Sequence, residues 1–294
     1  MGRLLRYIPL EGSLVELTSR VTQGRFLLRP SSEVNALIVD VVGRAQRKYE
    51  VSIVAMAWMS THFHMLVQAV DARQVASFMR DVKSQIAKGL GAILDWPAPV
   101  WGRRYSMSVI SEEPEAQLDR LRYCLSQGVK EGLVSRVEDW PGVHCSPALL
   151  QDRVMSTTQD GDSSHKGSGT EITLAKIPCW AHLTDDQYRE AVRELIRSIE
   201  EEADAEHRVA GTRPVGQSEI LKRNPRDRVR LDGTPLPQFL TFRREVREIL
   251  RQSYSLFEDA YRAAADRLRQ GMGEVRFPVG SFPSPMPFVT PAQG

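Results

Sequence analysis

The chain has 294 residues, of which 41% are hydrophobic and 26% are charged, and its net charge is +2 at pH 7. This length allows one domain of about 150 residues and a second unit. No apolar run approaches the roughly 18 residues of a membrane span, and the N-terminus lacks an apolar signal core. Three scattered cysteines are too few for a disulfide framework or a cysteine-based zinc site, so we expect a protein of the reducing cytoplasm without a membrane anchor.

The first half of the chain alternates β-branched runs with amphipathic segments at helical spacing. In chain order, the predicted elements are a strand at 13–21, a helix at 31–48, strands at 51–59 and 62–70, a helix at 74–90, a strand at 105–111 and a helix at 115–131. This β-α-β-β-α-β-α order is a split βαβ pattern. It predicts an α+β fold of the ferredoxin-like type, with an antiparallel sheet and helices on one face.

The second half of the chain differs in composition. Residues 156–175 are rich in Ser, Thr, Gly and Asp, which predicts a flexible linker after a domain of residues 1–150. Helical patterns at 184–207 and 239–268 predict a mainly helical region over residues 176–294. Auxiliary DNA binding and dimerisation are both open for this region.

Two histidines open the predicted strand at 62–70. His62 and His64 flank Phe63, and residues two apart on a strand point to the same face. Two adjacent imidazoles are a natural beginning of a metal site. A spacing of two also arises by coincidence, so the pair is significant only if further ligands lie nearby.

The predicted helix at 115–131 carries a polar pair away from its apolar stripe. Leucines and a valine at 118, 121, 125 and 129 form the stripe, whereas Tyr123 and Gln127 fall on the opposite side. Since residues four apart are neighbours on a helix, the phenol and the amide are presented together. Most tyrosines in such positions are ordinary half-exposed rings, so their relevance depends on whether the fold brings them to the histidines.

Three segments resemble a known family in order and spacing. Residues 58–67 look like the His-hydrophobic-His strand of the HUH single-tyrosine transposases, whose domain is called IS200-like. Residues 123–134, followed by Glu-Asp-Trp-Pro at 138–141, are similar to a segment of the REP-associated tyrosine transposases, and 101–105 resembles that family's lead into the last strand. The resemblance covers roughly residues 1–147. It departs from the family at Ser60-Thr61, where Pro-Asn is usual, and at Gln127-Gly128, where Asn-Pro is usual.

The resemblance implies a bacterial, cytoplasmic, nucleoid-associated enzyme that cleaves and rejoins single-stranded DNA with hairpin or palindromic elements. Tyr123 would be the nucleophile and form a 5′-phosphotyrosine intermediate. His62, His64 and Gln127 would hold Mg²⁺ or Mn²⁺. Action as a monomer and action as a homodimer are both compatible with the resemblance.

Basic residues supply candidate phosphate contacts. These are Arg103, Arg104, Arg120, Lys130, Lys222, Arg223 and Arg226. The last three lie in the segment 213–251, which has ten Lys and Arg against five Asp and Glu. Such a segment is equally well explained as solvated surface.

Two other classes of function stay open at this level. A domesticated descendant would grip structured single-stranded DNA without cutting it, and a metal-dependent hydrolase of small phosphoesters would need no tyrosine nucleophile. The transposase interpretation requires that the strand face with His62 and His64 contacts the helix face with Tyr123.

Overall fold

Five strands form the central sheet in the computed structural model, which describes residues 5–9, 12–156, 170–229, 237–272 and 274–283. The strands are β1 (Ser13–Arg20), β2 (Ser52–Trp58), β3 (His62–Ala69), β4 (Ser106–Ile110) and, much later in the chain, β7 (Phe239–Leu240). Their order is β2-β3-β1-β4-β7, and all pairs are antiparallel except β4 with β7. This confirms the predicted α+β, ferredoxin-like arrangement.

Seven α-helices accompany the sheet in the described part of the chain. They are α1 (Ser32–Tyr49), α2 (Ala72–Leu94), α3 (Pro114–Leu125), α4 (Ser146–Leu149), α5 (Asp185–Ala210), α6 (Gln217–Lys222) and α7 (Arg244–Arg269). Ser31 accepts the Val34 N–H before α1, and Asp71 accepts the Gln74 N–H before α2. Each cap satisfies one of the unpaired N–H groups of a first turn, which fixes where the helix starts.

Helices cover both faces of the sheet. Phe63 contacts Trp101, whose indole N–H donates to the Lys83 carbonyl of α2 at 2.8 Å. The next residue, His64, points to the other face, where its ring lies 5.1 Å from that of Tyr123 on α3. The prediction of helices on one face is therefore wrong for α3, because the alternation along β3 gives this helix a second surface to pack on.

The helix predicted at 115–131 ends at Leu125. Gly128 has a φ of +92°, which right-handed helices exclude. Its N–H donates to the Glu131 carboxylate at 2.6 Å, and its carbonyl accepts the N–H groups of Leu133 and Val134. The chain thus turns at residues 126–132 instead of continuing the helix.

Replacement of Gly128 by Ala should lower the free energy of unfolding by about 1–2 kcal/mol, because a side chain is strained at positive φ. The added Cβ would also lie 3.4 Å from the side chains of Trp140 and Val134. Urea titration measures the effect. Gly91→Ala within α2 is the control, since its Cβ meets no atom closer than 3.5 Å and alanine favours helices. Equal stabilities for Gly128→Ala and the native chain would contradict this account of the turn.

Part of the predicted linker 156–175 is built into the fold. Residues 157–169 lie outside the described part of the chain, but Ile172–Thr173 form β6 and pair with β5 (Val154–Met155). Leu174 forms a bridge with Ile53 of β2 and is buried. Residues 170–175 are therefore not a flexible linker, since apolar side chains at alternate positions anchor them to the core.

The region after residue 176 is mainly helical, as predicted, and it adds to the same sheet. Thr184 and Gln187 form a reciprocal capping box at the start of α5. Residues 239–240, predicted as the start of a helix, instead form β7 because the Val109 and Ser111 N–H groups donate to carbonyls of this segment. Within the described part of the chain, no helix has the length and apolar content to cross a bilayer.

A buried histidine makes stability depend on pH. His144 pairs with Ala57 of β2, and burial lowers its pKa from 6.5 to about 4. Between pH 6.5 and about pH 4 the unfolded chain therefore binds more protons than the folded chain. The free energy of unfolding should fall by up to about 3 kcal/mol as the pH drops through this range. Denaturant titrations at pH 7 and pH 4.5 measure the loss. His144→Gln should reduce it, whereas an unchanged loss in this variant would contradict the assignment.

Candidate active site

The two histidines lie where the sequence placed them. His62 begins β3, and the rings of His62 and His64 have centroids 5.1 Å apart on the same face of the sheet. His64 is buried and His62 is half-buried. This end of β3 pairs with the end of β1, with Arg20 opposite His62.

Tyr123 and Gln127 meet these histidines within one chain. The Tyr123 ring centroid is 5.1 Å from that of His64, and Oε1 of Gln127 is 3.3 Å from Nε2 of His62. The amide nitrogen of Gln127 donates to the Tyr123 carbonyl at 3.0 Å, which directs its oxygen towards His62. The face with His62 and His64 therefore contacts Tyr123, as the transposase interpretation requires.

The helical wheel did not predict that Gln127 is buried, whereas Tyr123 is half-buried. Gln127 has an exposed fraction of 0%, although it lies off the stripe of leucines. The reason is that α3 uses this face to pack on β2 and β3, while Arg122 on another face contacts Ser198 and Glu202 of α5. Because α3 lies between the sheet and α5, residues off the leucine stripe are also partly or fully buried.

Glu16 is a site residue that the sequence interpretation missed. Nδ1 of His64 donates to its carboxylate at 2.8 Å, and the Arg120 guanidinium lies 3.6 Å from its other oxygen. Glu16 has an exposed fraction of 1%. The sequence did contain a signal for Glu16, which is a single carboxylate within the otherwise apolar stretch of residues 14–17 of β1. A charge buried at such a position is costly unless it is paired.

The donor atoms fit a divalent cation. Since Nδ1 of His64 is engaged by Glu16, and Nδ1 of His62 lies 3.0 Å from Thr61 Oγ1, both Nε2 atoms are left as ligands beside the Gln127 oxygen. Burial, followed by the neighbouring His64, lowers the pKa of His62 to about 3, so the neutral form that can coordinate a metal prevails at neutral pH. The described residues contain no cluster of three His, Cys, Asp or Glu for a metal, so the set depends on the amide.

Positive charge surrounds the tyrosine. Nζ of Lys130 lies 3.2 Å from the centroid of the Tyr123 ring, and the Arg120 guanidinium carbon lies 4.7 Å from it. The charges of Arg20 and Lys130 also contribute to the lowered pKa of His62. Such an environment favours a bound phosphate group.

Three of the predicted DNA contacts, Arg103, Arg104 and Arg120, differ in how accessible their side chains are. The side chain of Arg120 is only 15% exposed and contacts Glu16 and Asp119, so it is poorly placed for direct DNA contact. Arg103 is exposed and follows Gly102, whose N–H donates to the Arg20 carbonyl at the edge of the site. Arg104 is exposed beside it.

The basic residues at the end of α6 and just after it pack near the same end of the sheet. Arg223 stacks over Phe26 at 5.0 Å, and the Arg226 guanidinium donates to the Asp95 carbonyl. The Lys222 side chain is 71% exposed and pairs with Glu219. The loop 21–29 beneath them is joined to the turn before His62, because the Leu28 N–H donates to the Ser60 carbonyl. The same loop bridges to Trp101 through Val21, and Arg29 donates to carbonyls of the segment 221–223. The five predicted contacts Arg103, Arg104, Lys222, Arg223 and Arg226, called the basic strip below, thus lie on segments that are joined to one loop.

Residues 28–123, about a third of the chain, match the family model described as "Transposase IS200 like". This segment, which includes both histidines and the tyrosine, is similar to the IS200-like transposases, and the match confirms the resemblance found in the sequence at that level.

Solved structures give further likenesses. A REP-associated tyrosine transposase bound to a REP hairpin is 19% identical, with 58% of this chain and 99% of that chain covered and a TM-score of 0.42. A protein of Deinococcus radiodurans R1, solved as a candidate transposase, is 18% identical, with 41% and 93% covered and a TM-score of 0.29. No curated protein matches the sequence significantly.

Proposed function

We propose that this protein cleaves and rejoins single-stranded DNA that carries a hairpin, through a covalent intermediate on Tyr123. The observation that carries the proposal is the meeting of Tyr123 with His62, His64 and Gln127, in and just after the segment that matches the IS200-like transposase model. All four residues come from one chain, so a monomer can assemble the site without a partner. The setting we propose is the bacterial cytoplasm, at the nucleoid.

Tyr123 attacks a backbone phosphorus. Its phenolic oxygen forms a bond to the phosphorus, and the bond to the 3′ oxygen breaks, which leaves a 5′-phosphotyrosine and a free 3′-hydroxyl. Because the covalent link conserves the phosphodiester energy, attack by another 3′-hydroxyl rejoins a strand without ATP. In this exchange the phenol loses its proton and the departing 3′ oxygen gains one.

His62, His64 and Gln127 would hold Mg²⁺ or Mn²⁺. The chemistry that such an ion supplies is neutralisation of charge on the scissile phosphate and orientation of the phosphorus for in-line attack. Two imidazoles and an amide oxygen form a softer set than Mg²⁺ prefers, so the ligand type favours Mn²⁺.

The basic strip and Lys130 would bind the DNA backbone. Exposed guanidinium and ammonium groups contact phosphates regardless of sequence, and binding through them weakens with salt. The strip extends from the site to the segment after α6, so it suits a strand or hairpin stem that continues beyond the cleaved phosphate.

Gln127→Ala tests the third ligand. We expect a loss of Mn²⁺ affinity of about tenfold or more, because the variant removes one of three donors. Gln127→Glu is the matched variant, since it keeps an oxygen at the same place and should retain binding. Isothermal titration of each folded variant with Mn²⁺ gives the comparison. Equal affinities for native protein and Gln127→Ala would exclude the amide as a ligand.

The reaction itself is tested with labelled hairpin-bearing single-stranded DNA and Mn²⁺ or Mg²⁺. A protein–DNA adduct that survives denaturing electrophoresis supports the proposal. Retarded mobility without cleavage would instead identify a binding protein. Cleaved DNA without an adduct would identify a metal-dependent hydrolase.

A further inference from the structure

Glu16 occupies an unusual place for a carboxylate. It lies in the middle of β1, opposite Leu66 on β3 and Ser108 on β4, and only 1% of it is exposed. His64 is opposite Thr18, so Glu16 is its diagonal neighbour on the same face, a separation that a long side chain can span. The fold therefore directs this carboxylate at one of the two histidines.

The contacts of Glu16 join three elements of the site. Its Oε1 accepts from Nδ1 of His64 at 2.8 Å, and its Oε2 lies 3.6 Å from the guanidinium of Arg120 on α3. Arg120 in turn lies over the ring of Tyr123. A chain of polar contacts thus runs from the nucleophile's helix through β1 to a histidine on β3.

Fold stability alone does not account for this carboxylate. A buried charge pays a large desolvation penalty, and apolar side chains of similar volume often stabilise a core as well or better. The residues on either side, Val15 and Leu17, are fully buried and apolar. A carboxylate that accepts from one imidazole nitrogen has a specific consequence, because it fixes which nitrogen carries the proton and how the ring is turned.

We propose that Glu16, braced by Arg120, is a positioning residue that holds His64 with Nδ1 protonated and Nε2 free to face Tyr123 and Gln127. The inference rests on the proposed function for its purpose, but the orientation of His64 can be measured in the free protein. Arg120, predicted from the sequence as a DNA contact, acts through Glu16 in this proposal.

The test uses Glu16→Leu and Glu16→Gln in the full chain. Leucine suits the strand but cannot accept a hydrogen bond, whereas the glutamine oxygen can still accept from His64. Glu113→Gln is the matched control, because Glu113 is also buried and accepts from Ser111 and the Arg243 N–H, which follow β4 and β7 and are remote from His64. Two quantities are measured: the His64 tautomer by ¹⁵N NMR without metal, and Mn²⁺ affinity by titration without DNA.

We expect Glu16→Leu to weaken Mn²⁺ binding by about ten- to a hundredfold and to mix the His64 tautomers. Glu16→Gln should have a smaller effect of the same kind. This variant also provides the test if Glu16→Leu does not fold. The control should keep native affinity and a single tautomer. Unchanged tautomer and unchanged Mn²⁺ affinity in the folded Glu16 variants would overturn the inference.

The two proposals fail separately. If native protein forms no DNA adduct but the Glu16 variants lose the His64 tautomer and Mn²⁺ affinity, the positioning role stands and the proposed reaction is wrong. If native protein forms the adduct and the Glu16 variants behave as native in both measurements, the reaction stands and the positioning role is wrong.

Discussion

Tyr123→Phe is expected to abolish covalent attachment to DNA, with a loss of at least about a thousandfold in adduct formation, because the phenolic oxygen is the proposed nucleophile. Folding should be retained, since the ring keeps its contacts with His64, Arg120 and Lys130. Affinity for hairpin DNA should change little, because contacts to phosphates dominate it. Denaturing electrophoresis of labelled DNA with protein and Mn²⁺ measures the adduct.

The matched control for this variant is Tyr261→Phe on α7. Tyr261 packs against Phe277, and its ring is not part of the cluster around His64. This control should form the adduct at the native rate. An adduct formed by Tyr123→Phe would remove Tyr123 from the nucleophile role, whatever the state of the metal site.

The double variant His62→Ala/His64→Ala is expected to lose metal-dependent cleavage entirely, because it removes both imidazole ligands. Its stability should fall by about 1–3 kcal/mol, since Glu16 is left buried without its hydrogen-bond donor. Mn²⁺ titration and cleavage of labelled hairpin DNA, carried out where circular dichroism shows the variant folded, test the prediction.

His182→Ala/His207→Ala provides the comparison for that pair of substitutions. His182 is exposed, and His207 lies at the end of α5 and contacts Thr212. This variant should cleave at the native rate. Native cleavage by the His62/His64 variant would rule out the metal assignment, and loss of cleavage in the control would show that the assay reports general damage.

The local parts of the site could be predicted from the sequence because they follow from short-range periodicity. The two-residue repeat of a strand places His62 and His64 together, and the four-residue spacing predicts Tyr123 beside Gln127, which lies in the turn just after α3. The family resemblance required that the two histidines lie next to Tyr123. The distance of 5.1 Å between the rings of His64 and Tyr123 confirms this contact.

The parts that could not be predicted depend on contacts distant in sequence. The role of Glu16 depends on its contacts with His64 and Arg120, which lie 48 and more residues away in the sequence. The two-residue strand β7 has no periodic signal and forms only because β4 offers a free edge. The end of α3 was not predicted because a single glycine such as Gly128 is only a weak signal for the end of a helix. In the structure its positive φ turns the chain.

The measurement that tests the central claim most directly is mass spectrometry of the protein–DNA adduct after nuclease and trypsin digestion. Trypsin cleaves after Arg122 and Lys130, so Tyr123 lies at the start of the peptide of residues 123–130. We predict that this peptide carries a 5′-linked nucleotide on Tyr123. A nucleotide on any other residue, or an adduct-competent protein in which this peptide stays unmodified, would contradict the account.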